Sequence, residues 1–369
     1  MTGAGPVADQ DTDTTRTALS EVPTPFVRID AERLRANVAE MQDRIAGLGA
    51  ALRPHFKTHR TTTIARLQLD SGAAGLTVAT PAQLEFVARK FSCPVLVSSL
   101  IQVDRATGPA LEQACAGGAV TFAIDSEASV QRLRAALGDE LSPDVMLEVD
   151  AGCRRTGVLP DDCAALARSA AARGFRVSGV FSYPGHSYLP GHSEEAAEQE
   201  QLALGEAASG LTKAGFEVEH VSAGSTPTMP FARGGVATEY RPGTYIFGDR
   251  QQLNLGSVMR SQISLSVVAS VVAVEGDRIV LDSGGKALGR DAPRWLEGYG
   301  ELFEHPAAMI TRLYDHHAVI EGYAGPSVAV GDRLSVLPNN ANSVMSLLRS
   351  AWLTEPGESA TALSPHPDR

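Results

Sequence analysis

The amino-acid sequence predicts an α/β protein in which a (β/α)8 barrel of the TIM type is followed by a mostly β C-terminal domain. Three observations lead to this prediction. Eight short apolar runs alternate with segments of helical periodicity in the first two thirds of the chain. Polar residues gather directly after the apolar runs, as they do at the catalytic rim of a barrel. Beyond about residue 255, short β-branched runs separated by turns replace the alternation.

The predicted barrel extends from residue 22 to residue 254. Residues 1–21 are small and polar, and we expect them to be disordered. Residues 24–29 form a predicted strand, and Asp30 is placed to cap the following helix. Thr80 and Pro81 combine a helix cap with a proline at the first helical position. The eight candidate barrel strands are residues 51–56, 75–80, 95–99, 121–125, 145–150, 177–183, 216–222 and 239–245.

The alternative to a barrel is a doubly wound open sheet. Lys57 follows the first candidate strand, Tyr183 ends the sixth, and Ser225 follows the seventh. A barrel brings such strand ends onto one rim, whereas an open sheet spreads them along an edge. The regular placement of polar residues at strand ends therefore favours the barrel.

Residues 255–354 predict a separate domain rich in β-structure. Residues 264–274 and 278–281 are β-branched runs with a Glu-Gly-Asp turn between them. The runs 318–321, 333–337 and 344–348 continue this pattern of short strands. Residues 355–369 have the composition of a loose tail.

Composition and charge exclude several classes of function. The chain has 369 residues, of which 43% are hydrophobic and 20% charged, as in ordinary globular proteins. Its net charge of −11 disfavours nucleic acid or an anionic membrane as the main partner. No apolar run approaches the roughly 20 residues of a membrane span, and the N-terminal segment does not resemble a secretory signal. The four cysteines show no metal-binding spacing, so we expect reduced thiols in a cytoplasmic protein.

The stretch ALRPHFKTHR, at residues 51–60, leads from an apolar strand into a cluster of cationic groups. Lys57 lies between His55 and His59, with Arg53 and Arg60 just outside. Like charge and desolvation both disfavour an ammonium group, so the pKa of such a lysine should be lowered. An amine that is partly neutral near pH 7 can attack a carbonyl and hold a Schiff base. The alternative is a basic surface loop.

Two stretches at strand ends are suited to bind a phosphate. In HVSAGSTPT, the residues Gly224, Ser225 and Thr226 offer backbone amides and hydroxyls. In RPGTY, Gly243 permits close backbone approach and Tyr245 offers a hydroxyl. Small-residue loops and turns with a packed tyrosine are common, so an ordinary structural role is the alternative for each stretch taken alone.

Further candidates follow the fifth and sixth strands. Arg154 and Arg155 stand in a glycine-flanked loop, where an arginine can bind an oxyanion through two hydrogen bonds. A salt bridge to Asp150 is the alternative. Tyr183 could stack on a flat ring, and His186 could move protons at neutral pH. A histidine on the rim without a catalytic role is the alternative for His186.

Together, these stretches resemble the D-threonine aldolase and D-serine dehydratase family. The likeness is carried, in order, by RPHFKTH, VDAGCRRTGV, GVFSYPGH, SAGSTPT, EYRPGTYIFGD and LDSGGKAL, and it runs from about residue 24 to residue 350. RPHFKTH is the most specific of these motifs, and the glycine-rich ones gain weight from their order. Members of this family are pyridoxal-phosphate enzymes with an alanine-racemase-like fold.

The resemblance implies a role for each candidate. Lys57 would form the Schiff base with pyridoxal phosphate beside His55, Arg155 would lie near the phenolic oxygen of the cofactor, and Tyr183 near its ring. The phosphate would be held by Gly224, Ser225, Thr226, Gly243 and Tyr245. The resemblance also implies an amino-acid substrate and a homodimer in which each β-domain helps to build the partner's site.

One part of the family pattern is not preserved. In the family, a histidine and a cysteine or aspartate two positions apart hold a divalent metal that activates the β-hydroxyl group of the substrate. The matching stretch here is PNNANS, in which Asn340 and Asn342 stand at the ligand positions. Neutral amide oxygens are poor ligands for zinc and weaker than carboxylates for manganese. We therefore predict no metal site of the family's kind.

The resemblance thus indicates a pyridoxal-phosphate enzyme but leaves open which reaction it catalyses. A lyase would cleave or dehydrate a β-hydroxy-D-amino acid, either with a histidine in place of the metal or with a metal bound in an unusual way. A racemase or epimerase needs only proton transfer on both faces of Cα. Lys57 would serve one face, and His186, His317 or Tyr314 the other; for His317, a surface histidine is the alternative. A pyridoxal-phosphate carrier without activity fits a two-domain chain with many rim residues poorly. We favour the lyase, with Lys57, His186 and His317 as catalytic candidates.

Overall fold

A computed structural model of the chain describes residues 16–100, 108–117, 119–348, 350–356 and 359–366. The predicted disorder of residues 1–15 lies outside the described residues. The first described elements are the strands β1 (Arg16–Ala18) and β2 (Phe26–Asp30), followed by helix α1 (Ala31–Gly47). Helix α1 begins where predicted, because the Asp30 carboxylate accepts a hydrogen bond from the Arg33 backbone N–H.

The next eight strands form one parallel sheet. They are β3 (Ala51–Leu52), β4 (Leu76–Val78), β5 (Val95–Val97), β6 (Val120–Ile124), β7 (Asp144–Val149), β8 (Arg176–Ser182), β9 (His220–Ala223) and β10 (Glu239–Tyr240). The order β3-β10-β9-β8-β7-β6-β5-β4 is closed into a ring where His55 bridges Thr77 and the Thr77 N–H donates to Pro54 O at 2.9 Å. This confirms the predicted barrel.

Helices separate most of the barrel strands. They are α2 (Thr62–Asp70), α3 (Pro81–Lys90), α4 (Gly108–Gly117), α5 (Glu127–Leu137), α6 (Cys163–Ala172), α7 (Ser193–Lys213) and α8 (Arg250–Asn254). The Thr80 hydroxyl caps α3 as predicted, by accepting a hydrogen bond from the Gln83 N–H. The seventh strand begins at His220 rather than at Phe216, because the Phe216 N–H donates to Leu211 O and closes the end of α7.

The remaining strands form a second, mostly antiparallel sheet. They are β11 (Leu265–Glu275), β12 (Arg278–Leu281), β13 (Gly300–Leu302), β14 (Ile310–Leu313), β15 (Ala318–Ile320), β16 (Arg333–Pro338), β17 (Ala351–Thr354) and β18 (Ser359–Leu363). Two short helices lie between them, α9 (Gly285–Leu288) and α10 (Ala341–Leu347). The predicted strand at residues 344–348 is wrong, because Asn340 caps α10 through the Ser343 N–H.

The ends of the described chain belong to this second sheet. Strand β1 pairs with β18, and β2 lies between β11 and β17. Residues 16–18 and 359–363 are therefore ordered, although the sequence predicts disorder and a loose tail there. Strand β1 is held by a partner more than 300 positions away in the sequence, and β18 pairs both with β1 and with the neighbouring β17, so local composition does not reveal this sheet. The domain limits at residues 22 and 254 stay a prediction.

The two sheets share one buried core of aliphatic and aromatic side chains. A smaller cluster of Leu96, Ala123, Met146 and Phe181 fills the inside of the barrel below the rim. Within the described part of the chain, no helix has the length and apolar character needed to cross a membrane. The packed barrel interior leaves the carboxyl ends of the strands as the place for a site.

Candidate active site

A cavity of about 300 Å³ lies at the carboxyl ends of the barrel strands, within the usual size of small-molecule sites. Its lining comes from the strand ends and from the stretch before and inside α10. The lining residues are His55, Lys57, Thr58, Ser98, Ser99, Arg155, Phe181, Tyr183, Tyr188, Gly224, Ser225, Thr226, Arg241, Gly243, Thr244, Gln251, Asn340 and Asn342. The structure thus brings together Lys57, His55, Arg155, Tyr183, Gly224, Ser225, Thr226 and Gly243, as the sequence predicts.

Lys57 lies in a short turn, Phe56–Thr58, directly after β3. Its side chain projects into the cavity and is accessible to solvent there, although protein atoms surround the cavity. Desolvation first, and then the positive charges of Arg155 and Arg241, lower the pKa of Lys57 from 10.5 to about 8. The Lys57 Nζ atom lies 6.0 Å from the centre of the Tyr183 ring. The lysine is therefore partly a neutral nucleophile near pH 7.

The two histidines beside Lys57 are buried and neutral. Burial, followed by the charges of Lys57 and Arg241, holds the pKa of His55 well below its usual range. Burial lowers the pKa of His59 to about 3. The expectation that these histidines act as cations on Lys57 is therefore wrong, because an imidazole enclosed by protein gives up its proton. Arg155 and Arg241, from later strands, supply the charge instead.

Arg241 is a site residue that the sequence analysis missed. It is buried in the floor of the cavity, donates hydrogen bonds to Ser222 Oγ and Ser182 O, and lies 5.1 Å from the Phe181 ring centre. The negative charge of the buried Glu239 carboxylate lies close to Arg241 and favours the charged form of its guanidinium group. Its signal in the sequence is its position at the head of RPGTY, next to Gly243 and Tyr245.

The phosphate-binding candidates form a tight cradle. Gly224 has φ +90°, and a Cβ there would lie 2.6 Å from Met229 Cε. A Cβ on Gly243 would lie 2.5 Å from Thr58 Oγ1, so the backbone approaches the lysine turn closely. Thr58 Oγ1 is buried and has no hydrogen-bond partner among the described residues. The predicted backbone donors of Gly224 and Ser225 are already bonded within the chain, so the hydroxyls and the unpaired buried oxygen are the groups that fit an anion between the two turns.

Tyr245 does not line the cavity, although its backbone N–H donates to Thr226 Oγ1 at 3.1 Å. The His59 Nδ1 atom accepts a hydrogen bond from the Thr61 N–H, so the neutral ring carries its proton on Nε2. That proton is donated to Gln68 Oε1 at 3.2 Å, and Gln68 Nε2 donates to the Tyr245 hydroxyl at 3.0 Å. The Tyr245 hydroxyl is thereby an acceptor in this chain, and its own proton remains free to be donated.

Arg155 and Tyr183 are stacked at the rim. The Arg155 guanidinium lies 4.6 Å from the Tyr183 ring centre, and its Nη2 atom lies 3.3 Å from Glu148 Oε1. The alternative of a salt bridge to Asp150 is not what forms, because the Asp150 carboxylate accepts the backbone N–H groups of Gly152 and Arg154. Arg155 is therefore held at the rim with part of its guanidinium still exposed.

The other two catalytic candidates, His186 and His317, lie outside the cavity lining. His186 follows β8, and its ring lies against Gly152, with neither ring nitrogen bonded to a described residue. His317 is exposed on the hairpin between β14 and β15, where its carbonyl accepts the Tyr314 N–H. The catalytic roles of these two histidines stay predictions, and within this chain neither reaches Lys57's cavity.

The wall opposite the barrel rim is made of amides. The Asn340 side chain accepts a hydrogen bond from the Ser343 N–H at 3.2 Å, and Asn342 Nδ2 donates to Thr244 Oγ1 at 3.1 Å. Asp249 holds this segment to the barrel by accepting the Ala341 N–H at 3.0 Å. The sequence analysis singled out neither Tyr188 nor Gln251, which complete the wall.

These donors do not fit a transition metal. The Asn340 side-chain oxygen is engaged as a helix cap, and the amide nitrogen of Asn342 faces Thr244. Among the residues described by the structure, no group of three His, Cys, Asp or Glu side chains is arranged to hold a metal ion. Two neutral amides, one of them already bonded, are a weak ligand set for zinc or manganese.

The closed barrel, the rim lysine of lowered pKa and the glycine and hydroxyl cradle define a pyridoxal-phosphate enzyme of the alanine-racemase-like fold. The family profile described as the N-terminal domain of alanine racemase matches residues 29–251, and a serine dehydratase domain profile matches residues 264–353. The chain therefore belongs to the pyridoxal-phosphate enzyme family that combines an alanine-racemase-like N-terminal domain with a serine dehydratase domain.

The named relatives include two dehydratases and a D-threonine aldolase of Arthrobacter sp. The chain is 31% identical over 350 residues to the D-threo-3-hydroxyaspartate dehydratase of Delftia sp. (strain HT23), covering 88% of this chain and 92% of that protein. It is 26% identical over 306 residues to the D-serine dehydratase of Dictyostelium discoideum, covering 74% and 75%. The solved structure of the Delftia dehydratase superposes with a TM-score of 0.87 at 29% identity, over 95% of this chain and 99% of that chain. These comparisons confirm the family that the sequence motifs indicated.

Proposed function

We propose that this protein is a pyridoxal-phosphate-dependent lyase that acts on a β-hydroxy-D-amino acid, by loss of water or by aldol cleavage, without a divalent metal. One observation carries the proposal: Lys57, with its pKa lowered to about 8, shares a cavity with an anion cradle on one side and an amide wall on the other. The similarity to two dehydratases supports the choice of reaction class.

The residues present fit the cofactor. Lys57 would carry it, and the cradle of Gly224, Ser225, Thr226 and Gly243 would hold its phosphate. Tyr245 would support this cradle from behind, through the hydrogen bond from its backbone N–H to Thr226 Oγ1. Tyr183 would lie against the ring, and Arg155 beside its phenolic oxygen. The cofactor supplies an electron sink that stabilises negative charge at the substrate's Cα.

The chain itself must move the protons. Lys57 is a base in the cavity whose pKa of about 8 lies close to neutral pH, and it would be suited to remove the Cα proton. Arg155, held over Tyr183, keeps a positive charge at the rim and so keeps the lysine pKa low. The racemase alternative needs a second acid–base group, and its candidates His186, His317 and Tyr314 do not line the cavity of this chain.

The residues of the amide wall indicate whether a divalent metal takes part in the reaction. The donor set of Asn340 and Asn342 does not fit the ion that the family resemblance implies, so we propose that the reaction proceeds without it. Water loss then depends on hydrogen bonds to the β-hydroxyl from neutral groups in the cavity. We also propose a homodimer, as the family resemblance implies, and a cytoplasmic location, in line with the four cysteines, which are all free.

The test is incubation of the holoenzyme with D-serine and D-threonine, with and without EDTA, followed by assay of keto acid, ammonia and aldehyde. We expect product release at a rate that EDTA changes by less than about twofold, since the residues that the structure describes include no ligand set for a transition metal. Loss of activity with EDTA and its return with Mn²⁺ or Zn²⁺ would show that the metal-free part is wrong. Solvent deuterium entering Cα with loss of chirality, and no fragment, would identify a racemase instead.

A further inference from the structure

We propose that Asn342 binds the β-hydroxyl group of the substrate, and that the amide wall around it selects amino acids with an uncharged side chain. This inference rests on the lyase function proposed above. It assigns a residue to the substrate half of the cavity, for which the family's metal pattern provides none in this chain.

The position of Asn342 supports this role. It lies in the first turn of α10 and lines the inner cavity that contains Lys57. It also lines an open cavity of about 450 Å³ on the outside, together with Ser343 and with Arg290, whose guanidinium is paired with Asp315. Asn342 therefore separates the space around the reacting lysine from the exterior.

The orientation of the Asn342 amide is set by its neighbour. The Nδ2 atom donates to Thr244 Oγ1 at 3.1 Å, which places the carbonyl oxygen on the other side of the amide. That oxygen, Oδ1, is buried and has no hydrogen-bond partner in the described part of the chain. A buried acceptor without a donor is unfavourable, and a hydroxyl group bound beside it removes the penalty. The amino group of the substrate would be engaged by the cofactor, so the β-hydroxyl is the donor that would remain for Asn342.

The charge of the wall decides the substrate class. The side chains that line the cavity with Asn342 on this side are neutral: Asn340, Gln251, Thr244 and Tyr188. Burial keeps Tyr188 protonated, since its pKa lies well above the usual range, and Tyr188 is hydrogen-bonded to Thr244. None of these groups offers a positive charge to a second carboxylate.

The cations that line the cavity have other partners. Arg241 is bonded to Ser222 and Ser182 in the floor, and Arg155 is stacked on Tyr183 and paired with Glu148. Lys57 is the attachment point of the cofactor. A β-carboxylate, such as that of 3-hydroxyaspartate, would meet the Asn342 carbonyl without a counter-charge. The wall therefore favours D-serine or D-threonine over the substrate named for the Delftia dehydratase.

The experiment compares the holoenzyme with the variant Asn342→Leu, which has a similar volume and no acceptor. D-Alanine is the matched ligand because it lacks only the hydroxyl of D-serine. Affinities for both are read from the absorbance change of the bound cofactor, and kcat/KM is measured for D-serine and D-threo-3-hydroxyaspartate. Ser346→Ala, one helical turn further along α10 and outside the inner cavity, controls for disturbance of the helix.

We expect Asn342→Leu to lower the D-serine affinity and kcat/KM by about tenfold or more and to leave the D-alanine affinity within about twofold. Asn342→Asp keeps an acceptor, so it should retain more D-serine activity than the leucine variant. Ser346→Ala should match the wild type. The wild type should prefer D-serine to 3-hydroxyaspartate by about tenfold or more.

Equal losses for D-serine and D-alanine would show that Asn342 only supports the structure, and a preference for 3-hydroxyaspartate would overturn the charge argument. The affinity ratio is obtained even when no product forms. If the wild type releases no product but Asn342→Leu still loses selectivity for D-serine, the lyase function is wrong and the hydroxyl site stands.

Discussion

The two walls of the cavity differ in origin and in chemistry. The barrel wall comes from strand ends and carries Lys57, two arginines and a cradle of glycines and hydroxyls. The opposite wall comes mainly from the start of α10, is completed by Tyr188 and Gln251, and carries neutral side chains. The barrel wall follows from the closure of the sheet, because every strand end must reach the rim. The amide wall depends on two or three residues, so it can change without altering the barrel.

The two walls also differ in the interactions that hold them in place. The barrel wall rests on a buried ion pair between Arg53 Nε and Glu239 Oε2, 2.9 Å apart, and on Arg241 bonded to two strands. The amide wall is held to the barrel by hydrogen bonds from Asn342 to Thr244 and from the Ala341 N–H to Asp249. We infer that the barrel wall determines which cofactor binds, and that the amide wall determines which substrate reacts.

The largest effect is expected at the barrel wall. Lys57→Ala removes the amine that holds the cofactor, so we expect loss of the yellow Schiff-base absorbance and a fall in activity on the order of a thousandfold or more. Borohydride reduction of the wild type, followed by digestion, should place a pyridoxyl group on Lys57. Lys213→Ala, an exposed lysine at the end of α7, should behave as the wild type. A reduced adduct on another lysine would contradict the assignment of the site.

The second prediction concerns the charge on the same wall. The pKa of Lys57 is lowered to about 8, so the neutral fraction at pH 7 is about a tenth. The rate at which apoprotein takes up pyridoxal phosphate should rise about tenfold per pH unit below pH 8 and level off above it. Stopped-flow absorbance at a series of pH values measures this midpoint.

The variant Arg155→Gln tests whether the charge of Arg155 contributes to the lowered pKa of Lys57. Arg155 is the largest charge contribution to the lowered lysine pKa after desolvation, so its removal should move the midpoint of uptake to higher pH. The variant should also take up cofactor more slowly at pH 7, because less of the lysine is neutral. A midpoint near 10.5 in the wild type, or no shift in the variant, would show that the cavity does not tune the amine.

The sequence predicted the barrel wall far better than the amide wall. RPHFKTH, the glycine motifs and the strand-end pattern placed eight of the nine cofactor-binding candidates in one cavity, because strand order and closure determine where strand ends lie. Tyr245 was the exception, since a side chain on a turn can point to either side. Arg241 was missed because RPGTY was interpreted only for Gly243 and Tyr245.

The amide wall required the structure. Asn340 and Asn342 were identified as a break in a metal pattern, but the helix that positions them was predicted as a strand. Tyr188 and Gln251 are distant in sequence from that stretch and reach it only through tertiary packing. Strands β1 and β18 illustrate the same limit, because their partners lie at opposite ends of the chain.

The smallest effect is expected behind the phosphate cradle. Glu200 of α7 is buried, and both of its carboxylate oxygens accept the Gly224 N–H, at 3.1 and 2.9 Å. Burial raises the pKa of Glu200 from 4.5 to about 8. Between these values the folded protein keeps a proton that the unfolded chain has lost, so the free energy of unfolding falls as pH rises from about 4.5 to about 8.

Glu200→Gln removes this titration and keeps an acceptor for the Gly224 N–H. The unfolding free energy of the apoprotein, from urea midpoints at pH 5, 6.5 and 8, should fall less in the variant than in the wild type, by up to about 1.4 kcal/mol per pH unit. Glu206→Gln alters an exposed carboxyl group of the same helix, so its pH dependence should parallel that of the wild type. Parallel curves for Glu200→Gln would show instead that Glu200 is ionised behind the cradle, and the barrel wall would then hold the phosphate against a fixed negative charge.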